Sequence, residues 1–199
     1  VRKFVFIQSK GILFCMRLCS SGWKEERAPR PQGPCIVAAN HASALDLYTV
    51  AALGFTNVVY ITKGWVFKLP FFRPVMQAAG YMDAEKTSPE EMLARCKTAV
   101  ENGCDIVLFP QGSRKNPQAR FKSGAFYLAE LLKLPVVPVA IGGTGKMLPA
   151  GTIKLHPAKI VLKSLPALMP GAFTGPLAHL EMAQTVKKQI MQELEKENI

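Results

Sequence analysis

A histidine and an aspartate stand five residues apart in NHASALD (Asn40–Asp46), directly after the apolar run CIVAA (Cys35–Ala39). An imidazole oriented by a carboxylate can take a proton from a hydroxyl. The carboxylate then stabilises the imidazolium that forms. Spacing limits how the two can meet: at 3.6 residues per turn, residues five apart on one helix point about 140° away from each other. His41 and Asp46 can therefore pair only if His41 lies in a loop and Asp46 in the first turn of the helix that follows. The same letters also fit a capping box, with Ser43 as N-cap and Asp46 reaching back from the third helical position. On the heptapeptide alone, capping and catalysis both stand. Ser43 is a poor nucleophile candidate, because a capping serine is committed to the backbone.

A second group of candidates lies in FPQGSRK (Phe109–Lys115). There a strand ends in Pro110 and a glycine turn follows. Gly112 lets backbone approach a ligand closely, and Arg114 offers a planar donor fork for phosphate. Neither G-x-x-x-x-G-K-[ST] nor a strand-linked G-x-G-x-x-G is present, which disfavours nucleotide binding. The basic residues are scattered, with no aromatic RNA-binding pattern and no helix-turn-helix, so nucleic acid is not an expected partner.

These residues need elements to hold them. Short apolar runs that read as strands (Cys35–Asn40, Asn57–Lys63, Asp105–Pro110, Val136–Ile141, Lys159–Ser164) alternate with helical segments. The helices are expected over Ser43–Gly54, Phe71–Gly80, Ser88–Gly103, Ser123–Leu134 and His179–Glu197. Ser88 as N-cap, Pro89 at the first position and Gly103 as the stop mark the third of them. Continuously apolar strands alternating with helices predict a single α/β domain whose mostly parallel sheet is flanked by helices. In such sheets, sites form where strands end and helices begin. His41, Lys63 and Gln111–Arg114 each fall just past a strand.

The N-terminal stretch Phe4–Cys19 is apolar but interrupted by Gln8, Ser9, Lys10 and Arg17. It is too broken for a transmembrane helix. It reads either as a helix packed on the core or as an interfacial helix with basic residues at headgroup level. Residues 1–25 are thus expected to be a membrane-associating segment and 26–199 the main domain, with Glu26–Pro34 as a Pro-rich linker. The chain begins at Val1 rather than Met, so an upstream segment is expected. The 25 Lys and Arg against 14 Asp and Glu give a net charge of +11, which favours an anionic partner. Five cysteines without C-x-x-C spacing read as reduced core thiols of a cytosolic compartment, with no disulfide and no metal.

Taken together, Asn40–Asp46 resembles the N-H-x-S-x-x-D block of the glycerolipid acyltransferases, the lysophosphatidic acid acyltransferase (PlsC-type) group. Further blocks follow in the family's order. Lys63 with Phe67–Phe72 resembles K-x-E-L…P-F-F, and Gly80–Lys86 stands where G-x-I-x-V-D-R is usual. Phe109–Arg114 resembles F-P-E-G-T-R, Phe121–Gly124 matches F-K-x-G, and Val136–Val139 resembles the last, proline-centred block.

The resemblance implies transfer of a fatty acyl group from an acyl thioester, acyl carrier protein or coenzyme A, to the hydroxyl of 1-acyl-sn-glycerol 3-phosphate, giving phosphatidic acid. No further cofactor is implied. His41 would be the general base and Asp46 its orienting partner. Lys63, Lys86, Gln111, Gly112, Ser113 and Arg114 would bind substrate. Apart from the resemblance, a backbone N–H near Gly112 is expected as an oxyanion donor. The implied location is the cytoplasmic face of the inner or plasma membrane, peripheral or N-terminally anchored. Three departures bear on the acceptor: Gln111 for the usual Glu, Lys86 for Arg, and Gly64-Trp65 in place of an acid near Lys63. They point to a different lysolipid, such as a lyso-ornithine lipid, as one alternative; a non-catalytic lipid-binding relative is another. Phe67, Phe71, Phe72, Met76 and Met82 read as core, or as the lining of an acyl groove.

Overall fold

Strand β2 (Ile36–Ala39) is short, β-branched at its start and wholly buried, as a strand covered on both faces must be. The computed structural model, which describes residues 1–64, 72–114, 116 and 118–198, places β2 at the centre of a seven-stranded sheet. Along the sheet the order is β1-β7-β6-β2-β5-β3-β4. The strands are β1 (Gly22–Arg27), β3 (Val58–Thr62), β4 (Met82–Asp83), β5 (Asp105–Leu108), β6 (Val136–Gly142) and β7 (Lys159–Ser164). β2 pairs in parallel with β5 and with β6, and β3 pairs in parallel with β5 and β4. Only β1 and β7 run the other way: β7 is antiparallel to β6 and parallel to β1.

Helices cover both faces. α1 (Arg2–Cys19) and α2 (Asp46–Ala52) bury Leu13, Met16, Val50 and Leu53 against one side of the sheet. α4 (Pro89–Glu101), α5 (Gly124–Leu132) and α7 (Ala178–Lys196) cover the other with Cys96, Phe126, Val186 and Ile190. The chain from β2 thus turns to one face and the chain from β5 to the other. The neighbouring C-terminal ends of β2 and β5 are left as an open crevice, the switch point of an α/β sheet.

The local signals act as expected in α4. Ser88 Oγ accepts the Glu91 N–H at 3.2 Å, Pro89 takes the first turn, and Gly103 adopts φ +69°. Such a cap is worth about 1 kcal/mol. Two further helices, α3 (Phe72–Ala78) and α6 (Thr144–Met147), are short. Met82 is buried in the core, as is Met76. Trp65, Phe67 and Phe71 lie outside the described residues.

Three expectations change. Cys15 and Cys19 are exposed on the outer side of α1, not core thiols, because that helix buries only Ser9, Leu13 and Met16. The first two residues of the expected linker belong to β1, which pairs with β7 from Gly22 to Arg27 and straddles the division between residues 25 and 26. The rest of that segment is pinned: Arg30 donates to Asp105 at 2.7 Å and to the Gly54 carbonyl at 2.8 Å, and lies over the Phe55 ring.

Candidate active site

His41 leaves β2 in a loop, and Asp46 begins α2 after a turn at residues 44–45. The helix starts three residues later than expected, yet the required geometry is met. Asp46 Oδ2 accepts the Ala42 N–H at 2.7 Å and the Ser43 N–H at 2.8 Å, and lies 2.7 Å from His41 Nδ1. Because Oδ2 is an acceptor for both amides, it accepts from Nδ1 as well, so the neutral ring carries its proton on Nδ1 and its lone pair on Nε2. The expected capping box does not form: Leu45, not Ser43, is the N-cap, no side chain caps the helix, and Asp46 is its first residue, whose Oδ2 reaches back to the Ala42 and Ser43 amides and meets His41 with the same oxygen. Ser43 Oγ is occupied elsewhere, donating to the Leu148 carbonyl at 2.9 Å.

Asp46 is fully buried. Its second oxygen, Oδ1, has no hydrogen-bond partner among the described residues. A buried carboxylate charge so sparsely solvated gains most from a cation beside it, and His41 supplies one when its ring takes up a proton. The ring is also fixed by stacking on Phe109, with centroids 4.2 Å apart and 21° between planes.

Three contacts set the loop itself. Asn40 pairs with both backbone groups of Ile141, accepting its N–H at 2.7 Å and donating to its carbonyl at 2.8 Å. That side chain extends the β2–β6 pairing by one rung just before His41. The His41 N–H donates to Gln111 Oε1 at 2.5 Å. Gly145 packs so closely on Ala42 that an added Cβ would lie 3.0 Å from the Ala42 Cβ.

Gln111, 5% exposed, therefore ties the loop that carries His41 to the Gln111–Arg114 turn. Its oxygen does what either oxygen of the usual Glu could do, and its amide also donates to the Asn116 carbonyl at 3.4 Å. Gly112 has φ +65°, which favours glycine, and its N–H closes the turn onto the Phe109 carbonyl at 3.0 Å. Ser113 and Arg114 are half-buried beyond it.

Lys63 follows β3, the neighbour of β5, and is half-buried at the same end of the sheet. Two acids lie beside Gly64, the next residue. Glu85 accepts the Gly64 N–H at 3.3 Å, and a Cβ on Gly64 would lie 2.6 Å from an Asp83 carboxylate oxygen. Lys86 lies past edge strand β4 and is exposed, farther out than the others. Lys122, not singled out from sequence, comes in: its Cε lies 3.2 Å from where a Gly112 Cβ would sit. The F-K-x-G block held that signal. Asn40 and Phe109 were likewise visible in their blocks, but nothing in the letters said what they touch. Among the described residues no three His, Cys, Asp or Glu side chains gather as metal ligands would.

A proton-accepting imidazole, backed by a buried carboxylate and flanked by cations at the mouth of a parallel sheet, is equipped for acyl transfer to a hydroxyl. The chain belongs to the acyltransferase family, whose profile matches residues 23–142, from β1 to the end of β6. It is 34% identical over 132 residues to a chloroplastic 1-acyl-sn-glycerol-3-phosphate acyltransferase of Brassica napus, covering 64% of this chain and 38% of that protein. A 1-acyl-sn-glycerol-3-phosphate acyltransferase of Helicobacter pylori is 23% identical over 165 residues, covering 80% of this chain and 69% of that one. The chain thus spans well under half the length of the plant enzyme. Its fold matches the crystal structure of the 1-acyl-sn-glycerophosphate acyltransferase PlsC of Thermotoga maritima, with a TM-score of 0.78 and 23% identity over 99% of this chain and 81% of the other.

Proposed function

We propose that this protein transfers a fatty acyl group from an acyl thioester to the free hydroxyl of 1-acyl-sn-glycerol 3-phosphate, forming phosphatidic acid. The His41–Asp46 pair carries the reading, with Nε2 left as a base. His41 takes the hydroxyl proton as the oxygen attacks the thioester carbonyl. The C–O bond forms, the C–S bond breaks, and the proton passes to the departing thiolate, so no covalent enzyme intermediate is needed. Lys63 and Arg114 hold the acceptor phosphate, with Ser113 and Lys122 beside it and Lys86 at the outer edge. Coenzyme A or acyl carrier protein supplies the acyl group. α1 meets an anionic membrane at its cytoplasmic face: Phe4, Ile7, Phe14 and Leu18 are each more than 60% exposed, and Lys3, Lys10 and Arg17 run along one flank. No described helix is long and apolar enough to cross a membrane, so this contact is peripheral within the described residues. Residues 1–25 then serve mainly as the membrane segment, and residues 26–199 as the acyltransferase domain.

Gln111 and Lys86 favour a second reading of the acceptor, in which the same chemistry acts on another lysolipid. The test is acyl transfer from labelled carrier-protein and coenzyme A thioesters to a lysolipid panel, with His41→Ala in parallel. Transfer to lysophosphatidic acid that falls at least about 10²-fold in the variant is expected. Transfer only to another lysolipid moves the assignment to that acceptor. No transfer to any acceptor by the folded protein defeats the enzyme reading.

A further inference from the structure

Eight consecutive residues, 150–157, are exposed between α6 and β7. Such a loop is ordinarily polar, yet this one presents Ile153 at 98% exposure and Leu155 at 50%. Its charged residues are of one sign: no Asp or Glu occurs between Glu130 and Glu181, while Lys146 and Lys154 do; Lys159, just past the loop, is paired with Glu197 and does not count. An isolated exposed apolar residue needs no explanation, but two on one cationic loop beside a second apolar surface do.

That second surface is α1. Its Arg2 side chain bonds Asn57, at the start of β3, so the helix begins at the N-terminal end of the parallel strands. It finishes at the other end. The Ser21 N–H donates to the Ala158 carbonyl at 3.1 Å, and Gly22 pairs with Lys159. The outward Phe14 and Leu18 of α1 and the Ile153–Leu155 loop therefore flank the end of the sheet where His41 emerges. Before Glu25 the N-terminal stretch also has no acid.

The loop is fastened to the catalytic segment. Its first anchor, the Leu148 carbonyl, accepts from Ser43 Oγ at 2.9 Å, and Gly145 packs on Ala42. The His156 N–H closes back onto the Met147 carbonyl at 2.9 Å, and Thr152 turns onto Pro149. A body resting on this loop would be held directly against the residues that flank His41.

From this we infer that the 149–157 loop is a second bilayer contact, Ile153 and Leu155 entering the interface of an anionic membrane while the lysines meet its headgroups. The inference rests on the acceptor's being a lysolipid, which a bilayer presents. One-signed charge selects the anionic surface, and continuity with the α1 face selects a bilayer over a protein.

The test is Ile153→Asp/Leu155→Asp, with sedimentation on phosphatidylcholine–phosphatidylglycerol vesicles. Binding is expected to weaken at least about tenfold. Acylation of vesicle-borne lysophosphatidic acid should fall in step at limiting lipid, with transfer to a short-chain monomeric lysophosphatidic acid unchanged. In Ile153→Trp, a blue shift of the added fluorescence on meeting vesicles reads the same contact without a disruptive charge. Unchanged binding in the double variant, or no blue shift, overturns the inference. Concentration-dependent self-association that the double variant abolishes, with wild-type vesicle binding absent, assigns the loop to a second copy and overturns it too. If the wild type acylates lysophosphatidic acid in neither form, the acceptor assignment fails while the vesicle and fluorescence arms still decide the loop.

Discussion

Oδ2 of Asp46 carries three contacts and Oδ1 none among the described residues, which separates that side chain's part in folding from the part proposed for it in the chemistry. An asparagine can keep the amide contacts of residues 42 and 43 through its oxygen, but it brings no charge to an imidazolium. Asp46→Asn is therefore expected to lower kcat about 10²–10⁴-fold with KM little changed, as loss of a partner felt mainly in the transition state should. Initial rates across acceptor concentrations check this; a fall confined to KM would show that Asp46 serves binding. Gln111 allows the converse experiment. Gln111→Glu keeps an acceptor for the His41 N–H and is expected to retain kcat within a few-fold. Gln111→Ala strands that amide, a loss of about 1–3 kcal/mol. Its kcat should fall, and equal rates in the two variants would remove Gln111 from the positioning of His41.

At the scale of elements, α7 is fastened to the sheet edge by charge. Lys163 of β7 is 5% exposed, and its amine meets Glu197 at 2.8 Å, Glu26 of β1 at 3.1 Å and Glu193 of α7 at 3.3 Å. Hydrogen bonds from Lys163 first, and then Lys24, hold the Glu197 carboxyl down to about 2. Hydrogen bonds to Glu197 in turn push the Lys163 amine well up. The signs follow. A depressed carboxyl contributes stability that is full above its ordinary value near 4.5 and is lost as pH falls towards about 2. The raised amine contributes stability that is full below its ordinary value of 10.5 and is lost only as pH climbs through its folded value. Thermal unfolding of the wild type should therefore fall across the acid window. Lys163→Met should show a flatter fall there, and parallel curves would mean the cluster adds nothing to acid stability. None of this was legible beforehand. GWKEER carries too little apolar patterning to announce β1, because an edge strand can be charged where a central one cannot. α6 escaped for another reason: TGKM has no periodicity, and it matters only because Gly145 meets Ala42. The buried central strands and the Ser88-capped helix were plain from the letters, since burial on two faces and capping each dictate residue type locally. His41, Asp46 and the Gln111 turn were readable as candidates for the same reason, being strand-end residues. What joins them, the Gln111 oxygen on the His41 amide, is a contact across 70 positions that no local pattern encodes.

Across the whole molecule the +11 charge is unevenly placed. Glu26, Glu193 and Glu197 are spent on internal ion pairs at the β1–β7 edge, and Glu25 on Arg17 of α1 and Arg27. Lys3, Lys10, Lys146 and Lys154 are exposed beside the apolar residues of α1 and the 149–157 loop. A protein held to a bilayer by both kinds of group should respond to salt in two parts. The electrostatic part, about 1 kcal/mol for each lysine or arginine near an anionic surface, decays as the screening length shortens from about 10 Å at 0.1 M salt to about 3 Å at 1 M. The apolar part does not decay, and salts excluded from protein surfaces strengthen it. Sedimentation with anionic vesicles should therefore show affinity falling by about tenfold or more over that range and then levelling at a residue of binding. Replacing Lys10 and Lys154 with glutamine should lower the low-salt affinity while leaving the high-salt level unchanged. Binding that falls to nothing in salt would leave the exposed Phe4, Phe14 and Ile153 without a role at the membrane. Binding indifferent to salt would show that the charge serves the anionic substrates alone.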